Sequence, residues 1–319
     1  MNPTYFITQP ELARALGIRN QAIAMKAGRL ALDGFRIGNR TAYSPSAVRR
    51  FFEDRGFIYP KQVISFQMLK GGSTKTSSAF NLAIRLNQYG AHVLVIDSDS
   101  QANLTSALGH QITGEDIVLF HVLTGEASLQ EAIKPVNEGL DLIPSDYDNS
   151  GIDLFLQSHR ANLKKFIREK LSPALQKYDF IIFDCNPALS SLNISIALAS
   201  DTVIIPVNPD PFSRMGLEKV LEEFERTGKD YDQPINFKLL YTLHDAREAA
   251  SRKYLIEFGG RFEERMFSTI IKRNTDVKTA IENKRPIFDY RKAPARADFD
   301  SFALEVLGLL KPETEPSNA

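Results

Sequence analysis

Residues 63–81, VISFQMLKGGSTKTSSAFN, constrain this chain more than any other stretch. A β-branched and apolar run ends at Leu69, a loop with two glycines follows, and from about Thr76 apolar residues recur at helical spacing through Phe80, Leu82, Ala83 and Leu86. The pattern predicts a strand, a phosphate-binding loop and a helix. Gly71 and Gly72 let the backbone approach a polyphosphate, the N–H groups that open the helix point at the anion, and Lys75 supplies a compact cation. Thr76 offers a hydroxyl where a nucleotide-bound magnesium ion needs an oxygen ligand. Thr74 stands where the generic loop has glycine, just before the lysine. A plain glycine turn ahead of an ordinary helix is the competing reading. Glycines, lysine and hydroxyls coinciding at one strand-to-helix junction weigh against it.

Downstream, strands and helices alternate, which predicts an α/β fold with a mostly parallel, doubly wound sheet covered on both faces. Val93-Leu94-Val95-Ile96 runs into Asp97-Ser98-Asp99-Ser100-Gln101-Ala102-Asn103, and Phe180-Ile181-Ile182-Phe183 ends in Asp184. Carboxylates there sit at the strand ends where open α/β sheets bind ligands, and Asp184 is placed to hold magnesium directly or through water. Thr202 to Val207 is a further buried strand. The shaped loop after it, Asn208-Pro209-Asp210-Pro211, is a natural wall for a base or ribose, although its prolines could simply stop the strand. Phe237 to Leu243 and Phe267 to Ile271 read as two more strands. His244 has no nucleophile or metal partner nearby in sequence and earns no catalytic role.

The run Lys70-Gly71-Gly72-Ser73-Thr74-Lys75-Thr76 resembles the deviant Walker A motif, KGGxxKT, of the ParA/MinD class of P-loop ATPases. Residues 97–103 resemble that family's DxDPQxN segment, with Ser100 in place of proline, and Asp184 resembles its Walker B carboxylate. Asn186 departs from the usual DxPP. Tyr241-Thr242-Leu243-His244-Asp245 and Ile271-Lys272-Arg273-Asn274 extend the likeness over residues 62–310. The resemblance implies ATP or ADP with Mg2+ as ligands, bound by Lys70, Gly71, Gly72, Ser73, Thr74, Lys75, Thr76 and Ser77. Thr76, Asp97 and Asp184 would form the magnesium site, and Asp99 would position the attacking water. Pro206, Asn208 and Asp210 would lie beside the adenine. It further implies an ATP-sandwich homodimer in which Lys70 reaches the partner's nucleotide, with Lys70, Lys75 and Asp99 as the catalytic set.

The first sixty residues hold 9 basic and 4 acidic side chains within a chain that has 39 of each, so a front of +5 precedes a body of −5. Such asymmetry points to a polyanion. Thr8-Gln9-Pro10-Glu11 opens a short helix that stops at Gly17, and a second is expected from Asn20 to about Gly28, carrying Ala22, Ile23 and Ala24 inward. Gln21, Met25, Lys26 and Arg29 would then face DNA. Phe35 to Ile37 and Arg40 to Tyr43 flank Gly38-Asn39, a hairpin turn, and Ser44-Pro45 caps a third helix. The hairpin, carrying Arg36 and Arg40, has the form of a wing. This order resembles the MerR-like winged helix-turn-helix at the front of some plasmid partition ATPases. A bland helical cap or dimerisation arm is the alternative. The expected layout is a winged domain at 1–57, a linker at 58–61 with a hinge across Gly56 to Lys61, an ATPase domain at 62–311 and a flexible acidic tail at 312–319.

A single cysteine, Cys185, excludes an intrachain disulfide and cysteine-based metal clusters. No apolar run reaches the length of a membrane span, and the front lacks a signal peptide's layout, so the expectation is a cytoplasmic, nucleoid-associated protein that engages no membrane. The resemblance implies an ATP-dependent partition ATPase that binds DNA nonspecifically as a dimer and is released when a ParB-like centromere-binding protein stimulates hydrolysis. Lys272, Arg273, Lys278, Lys284 and Arg285 fall where the family carries nonspecific DNA contacts, with a solvated charged face as the alternative. A nucleotide-responsive repressor is the second reading, and a MinD-type membrane-cycling regulator the third. The acidic run after Lys311 would repel anionic lipid and speaks against the third.

Overall fold

In a computed structural model of the chain, residues 5–72, 74–290 and 292–310 are described. The expected tail at 312–319 and Ser73 of the phosphate loop lie outside the described residues. The front comprises β1 (Ile7–Thr8), α1 (Gln9–Ala15), α2 (Asn20–Arg29), β2 (Phe35–Ile37), β3 (Arg40–Tyr43) and α3 (Pro45–Glu53). Local chemistry explains these boundaries. The Glu11 carboxylate accepts the Thr8 N–H at 3.0 Å, Gly38 takes the turn with φ +58°, and the Ser44 hydroxyl accepts the Ala47 N–H ahead of Pro45. Strand β3 pairs antiparallel with both β1 and β2. Helix α2 departs from expectation in its inward face. Ile23 and Ala27 are buried one turn apart, whereas Ala22 and Ala24 are exposed.

The body continues as β4 (Gln62–Phe66), α4 (Lys75–Gln88), β5 (Val93–Asp97), α5 (Asn103–Ala107), α6 (Leu119–Thr124), α7 (Leu129–Ala132), β6 (Lys134–Asn137), β7 (Leu140–Ile143), α8 (Ile152–Ser158) and α9 (Leu163–Lys177). Next come β8 (Phe180–Asp184), α10 (Ser191–Ala199), β9 (Thr202–Val207), α11 (Pro211–Asp230), β10 (Phe237–His244), α12 (Ala249–Phe262), β11 (Met266–Lys272), α13 (Thr275–Glu282) and α14 (Ala295–Val306). Eight strands form one sheet in the order β11-β10-β9-β4-β8-β5-β7-β6, parallel throughout except for the edge pair β6–β7. Alternate strand residues serve opposite faces: Val93 and Val95 join one core with Ile64, while Leu94 and Ile96 join another with Val63. No described helix is long and apolar enough to cross a membrane.

The front and the body share one core. Ile7, Leu12, Ile23, Phe51 and Phe52 belong to the same apolar cluster as Phe80 and Leu82 of α4 and Phe299 and Phe302 of α14. The segment expected to hinge is instead anchored. Tyr59 is 5% exposed, lies under the Arg49 guanidinium and donates to the Tyr89 carbonyl at 2.6 Å. Arg49 also donates to the Gly90 carbonyl and pairs with Asp179. Gly90 has φ +88°, and a Cβ there would come to 2.6 Å from the Arg49 backbone nitrogen, so only glycine admits this approach.

A buried ion cluster completes the join. Arg85 of α4 is 1% exposed in its side chain and binds Asp300 of α14 at 2.6 Å, with Glu11 of α1 at 3.6 Å. Its guanidinium stacks on Tyr89 and Phe288, Tyr89 donates to Asp300, and Arg296 pairs with Glu11. Burial pushes the Glu11 carboxyl up, but Arg85, the Thr8 hydroxyl and Arg296 together hold it below its usual value. Removing the central cation would leave the buried Asp300 carboxylate with the Tyr89 hydroxyl and no cation among the described residues, while Glu11 keeps Arg296. Arg85→Ala is therefore expected to lower the unfolding free energy by about 3–5 kcal/mol. Urea denaturation followed by circular dichroism reads this directly, and a loss under about 1 kcal/mol would place the cluster among ordinary surface pairs.

Candidate nucleotide-binding site

Strand β4 lies between β8 and β9, so the loop leaving its C-terminal end opens at the middle of the sheet edge. Thr74 precedes α4 with φ +66° and ψ 13°, and the helix begins at Lys75. Lys75 is 7% exposed, and its Nζ donates to the carbonyls of Met68 at 3.1 Å and Lys70 at 3.4 Å. Burial pushes its ammonium pKa down against the opposing charge of Asp184. The cation is thus folded into its own loop, with a desolvation cost that phosphate charge would relieve.

Two carboxylates face one another across the β5–β8 pairing, where Asp97 is in register with Asp184. Burial raises both carboxyl pKa values, and the Asp97 charge raises Asp184 further. Asp184 Oδ2 accepts the Thr76 hydroxyl at 2.7 Å, while Oδ1 is buried without a hydrogen-bond partner among the described residues. An orphaned carboxylate oxygen beside a threonine hydroxyl suits a hard cation. Among the described residues no three His, Cys, Asp or Glu side chains are grouped to hold a metal by themselves, so nucleotide phosphate and water would have to complete such a site. Asp97 differs from expectation. It is fully buried, its Oδ2 accepts both the N–H and the hydroxyl of Thr105, and its Oδ1 accepts the Asp99 N–H. It braces the Asp99 loop and shapes the charge on Asp184, but it does not open into the cleft.

A cleft of about 780 Å³ lies over the loop. Gly71, Gly72, Thr74, Lys75, Thr76, Ser77 and Asp99 line it. Asp99 is held by its own turn, its Oδ1 accepting the Gln101 N–H at 3.0 Å and its carbonyl accepting the Ser145 hydroxyl at 2.6 Å. The far wall comes from places that sequence reasoning missed: Leu243 at the end of β10 and Asn274, Val277 and Ile281 around α13. Their signal was positional, because Leu243 lies at the end of β10 and Asn274 just after β11, strands whose C-terminal ends share this edge.

Pro206, Asn208 and Asp210 do not line the cleft. Pro206 is buried inside β9, Asn208 is 3% exposed and accepts the Thr242 hydroxyl, and Asp210 caps α11. Asp210 also binds Lys70 Nζ at 2.7 Å, and Lys70 is likewise absent from the cleft lining.

The candidate DNA contacts divide. Gln21, Arg29, Arg36 and Arg40 are exposed, but Lys26 is mostly covered and paired with Asp54, which also takes Arg29 at 2.9 Å. Arg40 borders a crevice against the body together with Arg296 and Asp289. In the second group, Lys272 pairs with Asp298, Arg273 with Glu248 and Lys278 with Glu282, and Asp289 feels the charge of Arg285. Sequence alone suggests a free basic patch; the fold brings an acid to these cations. Lys278 and Lys284 also rim the nucleotide cleft.

The AAA domain family matches residues 61–239. The chromosome partitioning protein ParA of Caulobacter vibrioides is 30% identical over 236 residues, covering 72% of this chain and 88% of that protein. A putative plasmid partition protein from Borrelia burgdorferi, solved with AMPPNP, superposes with a TM-score of 0.64 at 26% identity, covering 78% of this chain and 98% of that one. A protein from Mycobacterium smegmatis named cobyrinic acid a,c-diamide synthase, solved with ADP and magnesium, gives a TM-score of 0.64 at 27% identity over 77% of this chain and 94% of that one. With a lysine loop, paired carboxylates and open cleft on one edge of a mostly parallel sheet, and with these matches along the body, the chain belongs to the ParA/MinD family of AAA-domain P-loop ATPases.

Proposed function

We propose that this protein is a partition ATPase whose ATP-bound homodimer binds DNA and is released by hydrolysis. The observation that carries the reading is the division of labour between two lysines on one loop. Lys75 is turned into the loop beneath the cleft, whereas Lys70 points away from it onto Asp210. A lysine with no phosphate to reach in its own subunit, on a deviant Walker A loop, is free to serve a partner's nucleotide once Asp210 releases it. Asp210 keeps its capping bond to the Ser213 N–H, so that release leaves α11 intact.

In this reading the backbone of residues 71–77 and Lys75 bind the phosphates of ATP. Thr76 and Asp184 would hold magnesium, which neutralises charge on the transferring phosphoryl group. Asp99, fixed by its turn and open to the cleft, orients the attacking water. The wall of Leu243, Val277 and Ile281 is apolar enough to take the base, which moves the adenine contact from the β9–α11 loop to α13.

DNA binding draws on two surfaces. The exposed cations from the end of β11 to α13 and of the 284–285 turn would contact phosphate nonspecifically, exchanging their present acidic partners for the polyanion. The front domain, with α2 and the Arg36–Arg40 hairpin outward, would read an operator, so that repression coexists with partition. A ParB-like centromere-binding protein would stimulate hydrolysis at the nucleoid. The direct test measures DNA binding with no nucleotide, ADP and a nonhydrolysable ATP analogue, on random DNA and on the protein's own upstream region. ATP-dependent binding to random DNA is expected; binding confined to the upstream region and indifferent to nucleotide would make the protein a repressor only.

Three variants separate the parts. Lys75→Ala is expected to abolish nucleotide binding in an equilibrium titration, and unchanged ATP affinity would overturn the phosphate-loop assignment. Lys70→Ala should still bind ATP but lose the ATP-dependent dimer in sedimentation, and dimerisation equal to wild type would remove its role in trans. Arg36→Ala with Arg40→Ala should weaken operator binding and lower its salt slope by about two, while ATP-dependent binding to random DNA persists. An operator slope and affinity that do not move would make the hairpin a structural cap.

A further inference from the structure

A threonine in the left-handed region is uncommon, because a β-branched side chain crowds the backbone there. Thr74 holds φ +66° immediately before α4, in the phosphate loop itself, at the position where glycine would adopt the same conformation without strain. Something in the surrounding structure must favour it. The Thr74 hydroxyl donates to Thr242 Oγ1 at 3.0 Å, and the Thr242 hydroxyl donates to Asn208 Oδ1 at 2.7 Å. Thr242 is fully buried and Asn208 is 3% exposed, so the relay runs through the interior from the phosphate loop to the ends of β10 and β9.

Two backbone features aim the relay. Strand β10 slips register against β11 between Tyr241 and His244, and Leu243 takes φ +56°. Leu243 lines the nucleotide cleft while Thr242 stays buried behind the loop. At the other end, the Asn208 N–H donates to the Ser213 hydroxyl at 2.9 Å inside the first turn of α11, which fixes the amide that receives Thr242. The same β9–α11 connection carries Asp210, which holds Lys70 at the start of the loop.

We propose that Thr242 and Asn208 are positioning residues for the phosphate loop: their buried hydroxyl–amide relay stabilises Thr74 in its left-handed conformation and so sets the N–H groups and Lys75 at the opening of α4 for phosphate. The proposal rests on the reading of this loop as the ATP phosphate site. The relay touches neither nucleotide nor reacting atoms, and it acts through one bond to Thr74. Its role is conditional on the residue it supports, which a general packing role is not.

The test is a double-mutant cycle on the full chain with a fluorescent nonhydrolysable ATP analogue. Thr242→Val, which keeps shape and removes the hydroxyl, should weaken analogue binding by about tenfold or more in the wild-type background. In the Thr74→Gly background the same substitution should cost less than about threefold, because glycine needs no support at that φ. Thr242→Ser should restore binding, and Asn208→Ala should follow Thr242→Val in both backgrounds. Thermal melts confirm that each variant is folded, and Asn208→Ala carries the cycle if Thr242→Val unfolds. Equal losses in both backgrounds, or no loss in either, would overturn the relay. If wild type fails to bind the analogue, the ATP reading itself falls and the relay with it, whereas wild-type binding that Lys75→Ala abolishes, together with an additive cycle, removes the relay alone.

Discussion

Parallel pairing of β5, β8 and β4 forces a charge problem on this molecule, and much of its architecture answers it. The register sets Asp97 beside Asp184 and Asp184 beside Phe66, so two carboxylates end adjacent strands at the point where the lysine loop begins. Neither can reach bulk water: both are at most 1% exposed. Thr105 saturates one oxygen of Asp97, the Asp99 N–H takes the other, and Thr76 satisfies half of Asp184. Among the described residues Asp184 Oδ1 has no hydrogen-bond partner, and beside it the nearly buried Lys75 ammonium rests on the Met68 and Lys70 carbonyls. The edge is built to be completed by a ligand that brings both anionic and cationic charge, which is the description of a magnesium nucleotide.

The front unit is bound to the body by the same kind of economy. Glu11 opens α1 by binding the Thr8 N–H, a local capping interaction that any isolated helix could use. In the folded chain its other oxygen pairs with Arg296 and lies near Arg85, so one carboxylate both starts a helix and joins the front unit to the body. Arg85 cannot be solvated in that position, and stacking on Tyr89 and Phe288 supplies part of what water would have supplied. A chain with a swinging front would not bury a guanidinium between its two parts.

Local chemistry was legible in the sequence, and long-range pairing was not. Strands 93–97, 180–184 and 202–207 are each built on an unbroken apolar run, and such runs betray themselves; the helix cap at Ser44 and the turn at Gly38 do so through residue type. The hairpin of β6 and β7 escaped because Lys134–Asn137 is half-polar and holds a proline at a sheet edge, where that composition is tolerated. The phosphate loop was readable because its chemistry is contiguous. The α13 wall, the Thr242 relay and the Asp210 partner of Lys70 were not, since each depends on which strand ends become neighbours. Lys26 shows the same limit from the other side: its spacing on α2 suggests an outward cation, and Asp54, 28 positions later, claims it.

Helix α4 connects these two solutions. It starts at Lys75 in the phosphate loop, passes Arg85 in the ion cluster and ends at Gln88, just before the Tyr89 and Gly90 carbonyls that Tyr59 and Arg49 of the front segment bind. Its 14 residues span about 21 Å at the usual helical rise. A helix of that length buried along most of its surface moves as one body, because its backbone hydrogen bonds and its packing both resist bending. The first turn of α4 and the base of the front unit are therefore two ends of one rigid element. Glycine at position 90 brings Arg49 within contact of that element's far end, and the Glu11–Arg85 pair grips it part-way along. The nucleotide edge and the front unit thus share a single mechanical reference.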